Sequence, residues 1–158
     1  MEHPKIDVNK PDRDGRTGLY WAAYRCREKI VANMLEDMRV DVNQRNGRNE
    51  SPLWKALTLG ERSQKLIRIM IASGRDFDIT EKSIGEDNSG LDVIGVAKNF
   101  QPQAIVDLLE LYAKNPHSAR FQARKDLGLS GFYLPRLLLL LLFFSSSFFS
   151  SFLQKFPN

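Results

Sequence analysis

Apolar residues recur at spacings of three and four in two separate segments of the chain. The clusters are Ile30, Val31, Met34 and Leu35, and then Leu66, Ile67, Met70 and Ile71. These spacings place apolar side chains on one face of a helix. A shorter segment before each cluster carries small residues that let neighbouring helices approach closely, namely Ala22, Ala23 and Ala56. The pattern therefore predicts two helix pairs, each with a short first helix and a longer second helix.

The two predicted pairs are related by a period of 34 residues. The triplet Asp7–Asn9 recurs at this spacing as Asp41–Asn43, and a degraded form, Asp76–Asp78, follows 35 residues later. The spacing of 34 also relates Gly15 to Asn49, Tyr20 to Trp54, Ala22 to Ala56 and Cys26 to Gly60. Gly and Asn both tolerate a left-handed backbone. A fixed period of this length is typical of repeat proteins.

Residues that start and stop helices occur at matching places in both units. Thr17 and Ser51 can each accept a hydrogen bond from a free N–H group of a first helical turn. Pro52 suits the first helical position, and Gly74 suits a helix C-terminus. We therefore expect helices to begin directly after Thr17 and Ser51.

The stretch Asp12–Asn43 resembles the ankyrin repeat in its Asp-x-x-Gly-x-Thr motif, its Ala-Ala and Ile-Val pairs and its closing Asp-Val-Asn. Asn46–Asp78 is similar, with two extra residues between Gly60 and Leu66, and a weaker third copy reaches Tyr112. In departures from the family, Gly18 replaces the usual Pro, and Tyr20 and Trp54 replace the usual His. The resemblance implies an all-α, ankyrin-type solenoid of stacked helix–turn–helix repeats over residues 1–131, with copies at about 12–43, 46–78 and 84–112.

The resemblance also implies a protein–protein interaction module that binds through its turn tips and concave helix face. Carried over residue by residue, these positions are Arg13, Asp14, Arg16, Tyr24 and Arg25 in the first copy, and Gly47, Arg48, Glu50, Thr58 and Leu59 in the second. Arg and Tyr are residues that interfaces favour. The alternative is that these side chains form ordinary solvated surface. Trp21 and Trp54 are either further anchors or aromatic residues packed against neighbouring helices.

The two ends of the repeat region carry further expectations. Residues 6–9 look like the closing tail of a repeat, which suggests that upstream repeats are missing from this chain or have been lost. After the third copy, Pro116 breaks the helix, Ser118 can cap another over about 117–128, and Gly128 ends it. We expect this helix to cap the stack, with Phe121 and Leu127 covering its exposed end, because terminal repeats must present a polar outer face.

Charge and cysteine content narrow the classes of partner and compartment. The net charge is +4, and Arg136 and Lys155 account for two of these charges, so residues 1–131 carry only +2. So small a surplus does not favour a nucleic-acid partner. Cys26 is the single cysteine, which excludes an intrachain disulfide and fits a reducing compartment. Because the N-terminus also lacks a secretory signal pattern, we expect a cytoplasmic protein.

The sequence offers no catalytic, cofactor-binding or metal-binding constellation. His3 and His117 lie 114 residues apart, and neither is a plausible base for Cys26. Residues 85–90 have neither the Lys nor the Gly spacing of a phosphate loop. We therefore expect a non-enzymatic chain whose partner is another, unidentified protein, with no small-molecule substrate and no cofactor.

A low-complexity tail, residues 132–158, follows the predicted repeats. All 17 residues from Leu137 to Leu153 are Leu, Phe or Ser. A helix of that length would span about 25 Å, slightly less than the roughly 30 Å hydrocarbon core of a bilayer. A membrane anchor would make the chain a C-terminally anchored ankyrin adaptor. Leu, Phe and Ser are also encoded by pyrimidine-only codons, so the tail could instead be a translated intron end, and a disordered tail is the third possibility.

Overall fold

Helices joined by turns make up residues 6–84 and 90–129, which are the residues that the computed structural model describes. In chain order they are α1 Gly18–Tyr24, α2 Glu28–Glu36, α3 Pro52–Leu57, α4 Gln64–Ala72, α5 Val93–Phe100, α6 Gln103–Lys114 and α7 Pro116–Asp126, with a 3-10 turn at Gly60–Ser63 before α4. Extended pairing in the described ranges is limited to an isolated antiparallel bridge between Lys82 and Asp92. The predicted all-α class is confirmed.

Helices α1 and α3 begin directly after their predicted caps, Thr17 and Ser51. The prediction that Ser118 caps the last helix is wrong, because α7 begins earlier and Asn115 Oδ1 accepts from the Ser118 N–H at 3.0 Å. Thr17 Oγ1 accepts a hydrogen bond from the Tyr20 N–H at 3.2 Å, and Ser51 Oγ accepts one from the Trp54 N–H at 3.1 Å. Asp92 caps α5 in the same way, accepting from the Gly95 N–H at 2.7 Å. Each cap satisfies a backbone donor that a helix end otherwise leaves free.

Each short helix packs against the longer helix that follows it, and neighbouring pairs lie side by side. The short helices α1, α3 and α5 form one row, and α2 packs on α4. Ala23, Ala56 and Ala97 on the short helices are fully buried. Their small side chains permit the close spacing of this row. The core is one continuous cluster that runs from Leu19 on α1 to Ala123 on α7.

The last helix, α7, packs against both α4 and α6. It buries Ala119 and Ala123, which lie one helical turn apart, whereas Phe121 is 68% exposed. At 100° per residue, Phe121 lies about 200° around the helix from Ala119. The prediction that Phe121 covers the end of the stack is therefore wrong, although Leu127 does pack against the core.

Residues that the period of 34 relates adopt the same unusual backbone. Gly15 and Asn49 both have positive φ angles, of 82° and 60°. Cys26 and Gly60 likewise have φ angles of 49° and 66°. The period in the sequence therefore corresponds to a period in local backbone geometry.

The described part of the chain contains no helix that is both long and apolar enough to cross a membrane. The low-complexity tail of residues 132–158 lies outside the described residues, as do residues 85–89 at the start of the predicted third copy.

Candidate functional site

A groove of about 650 Å³ opens between two neighbouring turns. We call Asp12–Arg16 the first turn and Asn46–Glu50 the second turn. Of the predicted partner-binding residues, the groove is lined by Arg13, Asp14, Arg16, Tyr24, Gly47, Arg48 and Glu50. Most of the predicted binding residues are therefore brought together on one side of the protein.

The two turns are built by the same hydrogen bonds at equivalent positions. Asp12 Oδ1 accepts from the backbone N–H groups of Asp14 and Arg16, at 3.0 and 2.9 Å. Asn46 Oδ1 accepts from the N–H groups of Arg48 and Glu50, at 2.9 and 3.0 Å. Side-chain oxygens that bind backbone N–H groups two and four residues later hold each turn in one shape.

The turns also touch each other through their backbones. The Gly47 N–H donates to the Asp14 carbonyl at 2.8 Å. A Cβ atom at Gly15 would lie 3.1 Å from both Asn46 Cα and Gly47 N, so a side chain at this position would push the turns apart. The spacing of the groove walls therefore depends on glycine at position 15.

Trp21, on α1, lines the groove and contacts several of its other residues. Its indole Nε1 donates to Asp12 Oδ2 at 3.0 Å. The Arg16 guanidinium carbon lies 4.5 Å from the Trp21 ring centroid and that of Arg25 lies 5.7 Å from it. Tyr24 meets Trp21 edge-on, with centroids 5.8 Å apart and an interplanar angle of 68°. The indole is thus fixed by a hydrogen bond, two cations and a second ring.

Arg16 and Asp12 hold the first wall of the groove in place. Arg16 Nε donates to Asp12 Oδ2 at 2.9 Å, and the same guanidinium pairs with Asp14. Desolvation raises the pKa of Asp12, but hydrogen bonds from the Arg16 backbone, the Trp21 indole and the Arg16 side chain outweigh it and lower the pKa to about 2. The carboxylate therefore stays ionised and keeps Arg16 engaged within the protein.

Glu50 lies in the floor of the groove rather than on its rim. Only 7% of the residue is exposed. Its Oε2 accepts from the Tyr20 hydroxyl at 2.9 Å and from Asn46 Nδ2 at 2.8 Å. Burial and then the charge of Glu50 raise the pKa of Tyr20 above its ordinary value of 10.0. Tyr20 therefore stays protonated and links α1 to the second turn.

Three cations, Arg13, Arg48 and Lys55, line the outer edge of the groove, which we call the rim. Arg13 and Arg48 are exposed, and their side chains make no hydrogen bond or ion pair within residues 6–84 and 90–129. Lys55 Nζ lies 5.1 Å from the centroid of the Tyr24 ring on the opposite wall. Positive charge therefore faces solvent along the groove.

Three predicted binding residues lie outside the groove lining. Arg25 contacts the groove indirectly, through the Trp21 ring. Thr58 donates its hydroxyl to the Lys55 carbonyl at 2.8 Å and caps the end of α3, and Leu59 is half-buried just before the 3-10 turn. Thr58 and Leu59 therefore belong to the end of α3 and do not line the groove.

The prediction missed Tyr20, Asn46 and Lys55, which also line the groove. The period of 34 contains a signal for two of them, since it relates Asp12 to Asn46 and Trp21 to Lys55. Residues at equivalent positions in adjacent units are neighbours in a stack. The period of 34 therefore indicates that Asn46 and Lys55 lie beside Asp12 and Trp21.

Cys26 and the acidic side chains are the groups that bear on nucleophilic and metal chemistry among the described residues. Burial raises the pKa of the Cys26 thiol, which disfavours the reactive thiolate. Among the described residues, no group of three or more His, Cys, Asp or Glu side chains is arranged to hold a metal ion. The groove is thus a surface of fixed aromatic rings and free guanidinium groups.

Comparison of the sequence with models of known families and with curated proteins finds no match.

Proposed function

We propose that this chain is a non-enzymatic protein-binding module, built as a short ankyrin-type repeat array, that captures a partner in the groove between its first two turns. The observation that carries the proposal is that one groove contains both the exposed side chains of Arg13 and Arg48 and the fixed rings of Trp21 and Tyr24. Arg, Trp and Tyr are the residues that most often contribute large shares of binding energy in protein interfaces.

Matching hydrogen bonds made by Asn9 and Asn43, which the period of 34 relates, support the repeat array. Asn9 donates from Nδ2 to the Arg39 carbonyl at 2.7 Å and accepts from the Asp41 N–H at 2.8 Å. Asn43, 34 residues later, donates to the Asp76 carbonyl at 2.9 Å and accepts from the Asp78 N–H at 2.9 Å. An asparagine at the equivalent position thus bonds to the next unit in both cases, as expected for stacked repeats that contact mainly their neighbours.

Rigidity of the groove supports a binding role. Asp12 holds Arg16 and Trp21 through side-chain hydrogen bonds, and Glu50 holds Tyr20. Side chains that are already ordered lose little conformational entropy when a partner binds. More of the contact energy is then available as affinity.

A quantitative pull-down tests the proposal. The full chain is compared with the triple variant Arg13→Ala, Tyr24→Ala, Arg48→Ala as bait in an extract of the cells that express it. The matched control is Arg27→Ala, Lys29→Ala, Arg62→Ala, which alters exposed residues away from the groove. Unchanged circular dichroism establishes that both variants fold. We expect proteins retained by the wild type and the control to be lost from the groove variant; equal recovery by all three baits would mean that the binding face lies elsewhere.

A further inference from the structure

We propose that the groove recognises an acidic segment of its partner protein, with aspartate or glutamate carboxylates bound by Arg13 and Arg48. This inference rests on the proposed function and adds the chemical class of the partner. Its basis is that the exposed guanidinium groups of Arg13 and Arg48 line the groove and make no ion pair among the described residues.

The acids of the groove are already engaged. Asp14 pairs with Arg16, and Glu50 accepts from both Tyr20 and Asn46 while it is almost completely buried. Asp12, at the base of the first turn, is held ionised by Arg16 and Trp21. None of these carboxylates makes an ion pair with Arg13, Arg48 or Lys55 among the described residues.

The cations of the rim are not engaged in the same way. Arg13 and Arg48 make no ion pair among the described residues, and Lys55 contacts the face of Tyr24 without a carboxylate partner there. A guanidinium group presents parallel N–H donors that match a carboxylate, and such charge-assisted bonds are stronger than neutral ones. Carboxylates are thus the complementary groups for this rim.

Two features of the groove argue against a nucleic acid as the occupant. Proteins that bind single strands stack bases on open aromatic faces, whereas here Arg16 lies over Trp21 and Lys55 lies over Tyr24. Nucleic-acid binding also draws on many phosphate contacts, about 6 to 10 for a typical protein, and this rim offers only a few cations. An acidic peptide needs fewer contacts and no stacking.

Fluorescence anisotropy with the full chain tests this assignment. The probe is a labelled short peptide of alternating glutamate and glycine, compared with the same peptide carrying glutamine for glutamate. We expect the glutamate peptide to bind, the glutamine peptide to bind far more weakly, and added salt to reduce binding. Equal binding of the two peptides would overturn the proposal.

A matched pair of variants separates a specific site from general attraction. Arg13→Ala with Arg48→Ala is expected to weaken peptide binding by about tenfold or more, because each charge-assisted bond lost is worth at least that factor when the site is specific. Arg27→Ala with Arg62→Ala removes the same charge from exposed positions outside the groove and should leave affinity unchanged within experimental error. Equal weakening by both pairs would contradict the site, as would tighter binding of an oligothymidine of similar length.

The two proposals fail in distinguishable ways. If the glutamate peptide does not bind but the groove variant still loses its partner in the pull-down, the acidic class is wrong and the binding module stands. If the peptide does not bind and the pull-down also shows no difference between baits, both proposals are wrong.

Discussion

At the scale of single residues, the carboxylate of Asp12 organises the groove. It accepts two backbone N–H groups through Oδ1, and Arg16 Nε and Trp21 Nε1 through Oδ2. Hydrogen bonds to the ionised form of an acid stabilise that form and lower its pKa. Because the pKa in the folded protein is lowered, the contribution of Asp12 to stability is present above the ordinary pKa of 3.8 and is lost as the pH falls towards about 2.

Replacing Trp21 with Phe tests this network. The change removes the indole N–H while keeping an aromatic ring, so the pKa of Asp12 should rise from about 2 towards 3.8. The measurement is a pH titration of the ¹³C carboxylate resonances. Asp37, whose pKa is lowered to about 2 mainly by the side chain of Arg39, is an internal control that should not move. An unchanged Asp12 titration would show that the indole does not hold the carboxylate.

Glu81 is a buried acid whose pKa is shifted in the opposite direction from the pKa of Asp12. The Ser51 hydroxyl donates to Oε1, and Arg45 Nε lies 3.0 Å from Oε2. Burial raises the pKa of Glu81 above 4.5, although the hydrogen bond from Ser51 and the positive charge of Arg45 act to lower it. Folding therefore favours the protonated acid, and Glu81 contributes most to stability below pH 4.5 and less as the pH rises through its folded pKa.

We expect Glu81→Gln to gain stability relative to the wild type as the pH rises from below 4.5 to neutrality. The amide keeps a hydrogen-bond acceptor for Ser51 but has no charge to bury. Urea unfolding at a series of pH values measures the difference. Glu61→Gln, which alters an exposed residue of the 3-10 turn, is the control. A difference between wild type and Glu81→Gln that does not depend on pH would refute the role of burial.

At the scale of elements, the first turn requires glycine for two separate reasons. Gly15 has a positive φ of 82°, and its backbone lies against the second turn. Gly74, after α4, has a similar φ of 86° but open space where a Cβ would be. The two glycines therefore separate backbone strain from close packing.

Alanine at each of these glycines should give unequal losses of stability. Gly74→Ala should cost about 1 to 2 kcal/mol from the left-handed backbone alone. Gly15→Ala should cost at least about 1 kcal/mol more, because its methyl group must displace the backbone of the second turn. Chemical denaturation monitored by circular dichroism measures both. Equal losses would mean that the turns can separate freely.

Arg75 connects elements by capping the C-terminal end of α2. Its guanidinium donates to the carbonyl groups of Leu35, Asp37 and Val40, at 3.3, 3.1 and 2.6 Å. Carbonyl groups at a helix end have no partner within the helix. A planar guanidinium can bind several of them at once, which a lysine ammonium does less well.

Arg75→Ala should therefore lower the free energy of unfolding by about 1.5 to 3 kcal/mol, the range for bonds to a charged group. Arg75→Lys should recover only part of this loss. Arg62→Ala, an exposed arginine of the 3-10 turn, should stay within about 0.5 kcal/mol of the wild type. Full recovery by lysine in urea unfolding would argue against multiple carbonyl contacts.

At the scale of the whole molecule, α7 completes the core through arginines as well as alanines. Arg124 donates to the Ala72 carbonyl at the end of α4 at 2.9 and 2.6 Å, and Arg68 pairs with Asp126 at 3.3 Å. The helix thus caps α4 much as Arg75 caps α2. Residues beyond it, in the low-complexity tail, decide whether the chain is anchored to a membrane.

A reporter fusion tests the anchor interpretation of the tail. If residues 132–158 anchor the chain, they should carry a soluble reporter to membranes and resist carbonate extraction. Phe143→Lys with Phe148→Lys should abolish both, because each central lysine opposes insertion by about 2.5 to 3.5 kcal/mol. Phe143→Leu with Phe148→Leu is the matched control and should retain both. A reporter that stays in the aqueous fraction rules out the anchor, and transcripts lacking the pyrimidine tract would then support a translated intron.

The sequence by itself determined the helical class, the starts of α1 and α3, and the period. Thr17 and Ser51 cap helices by bonding to N–H groups only three residues away. Gly15 takes a left-handed backbone because it has no Cβ atom, and Asn49 because its short polar side chain tolerates that conformation. These features depend on interactions within a few residues, so a local pattern is enough to predict them.

Only the tertiary structure decided which predicted binding residues share a groove and which face inward. Glu50 was predicted to face a partner, but it is buried in the second turn, where Tyr20, 30 residues earlier on α1, donates to it. Phe121 was predicted to cover the core, but Ala119 and Ala123 let α7 pack by its opposite face. Both outcomes depend on how closely two elements approach and which rotamers fit between them. That geometry arises from the packing of the entire core, which a single stretch of sequence does not contain.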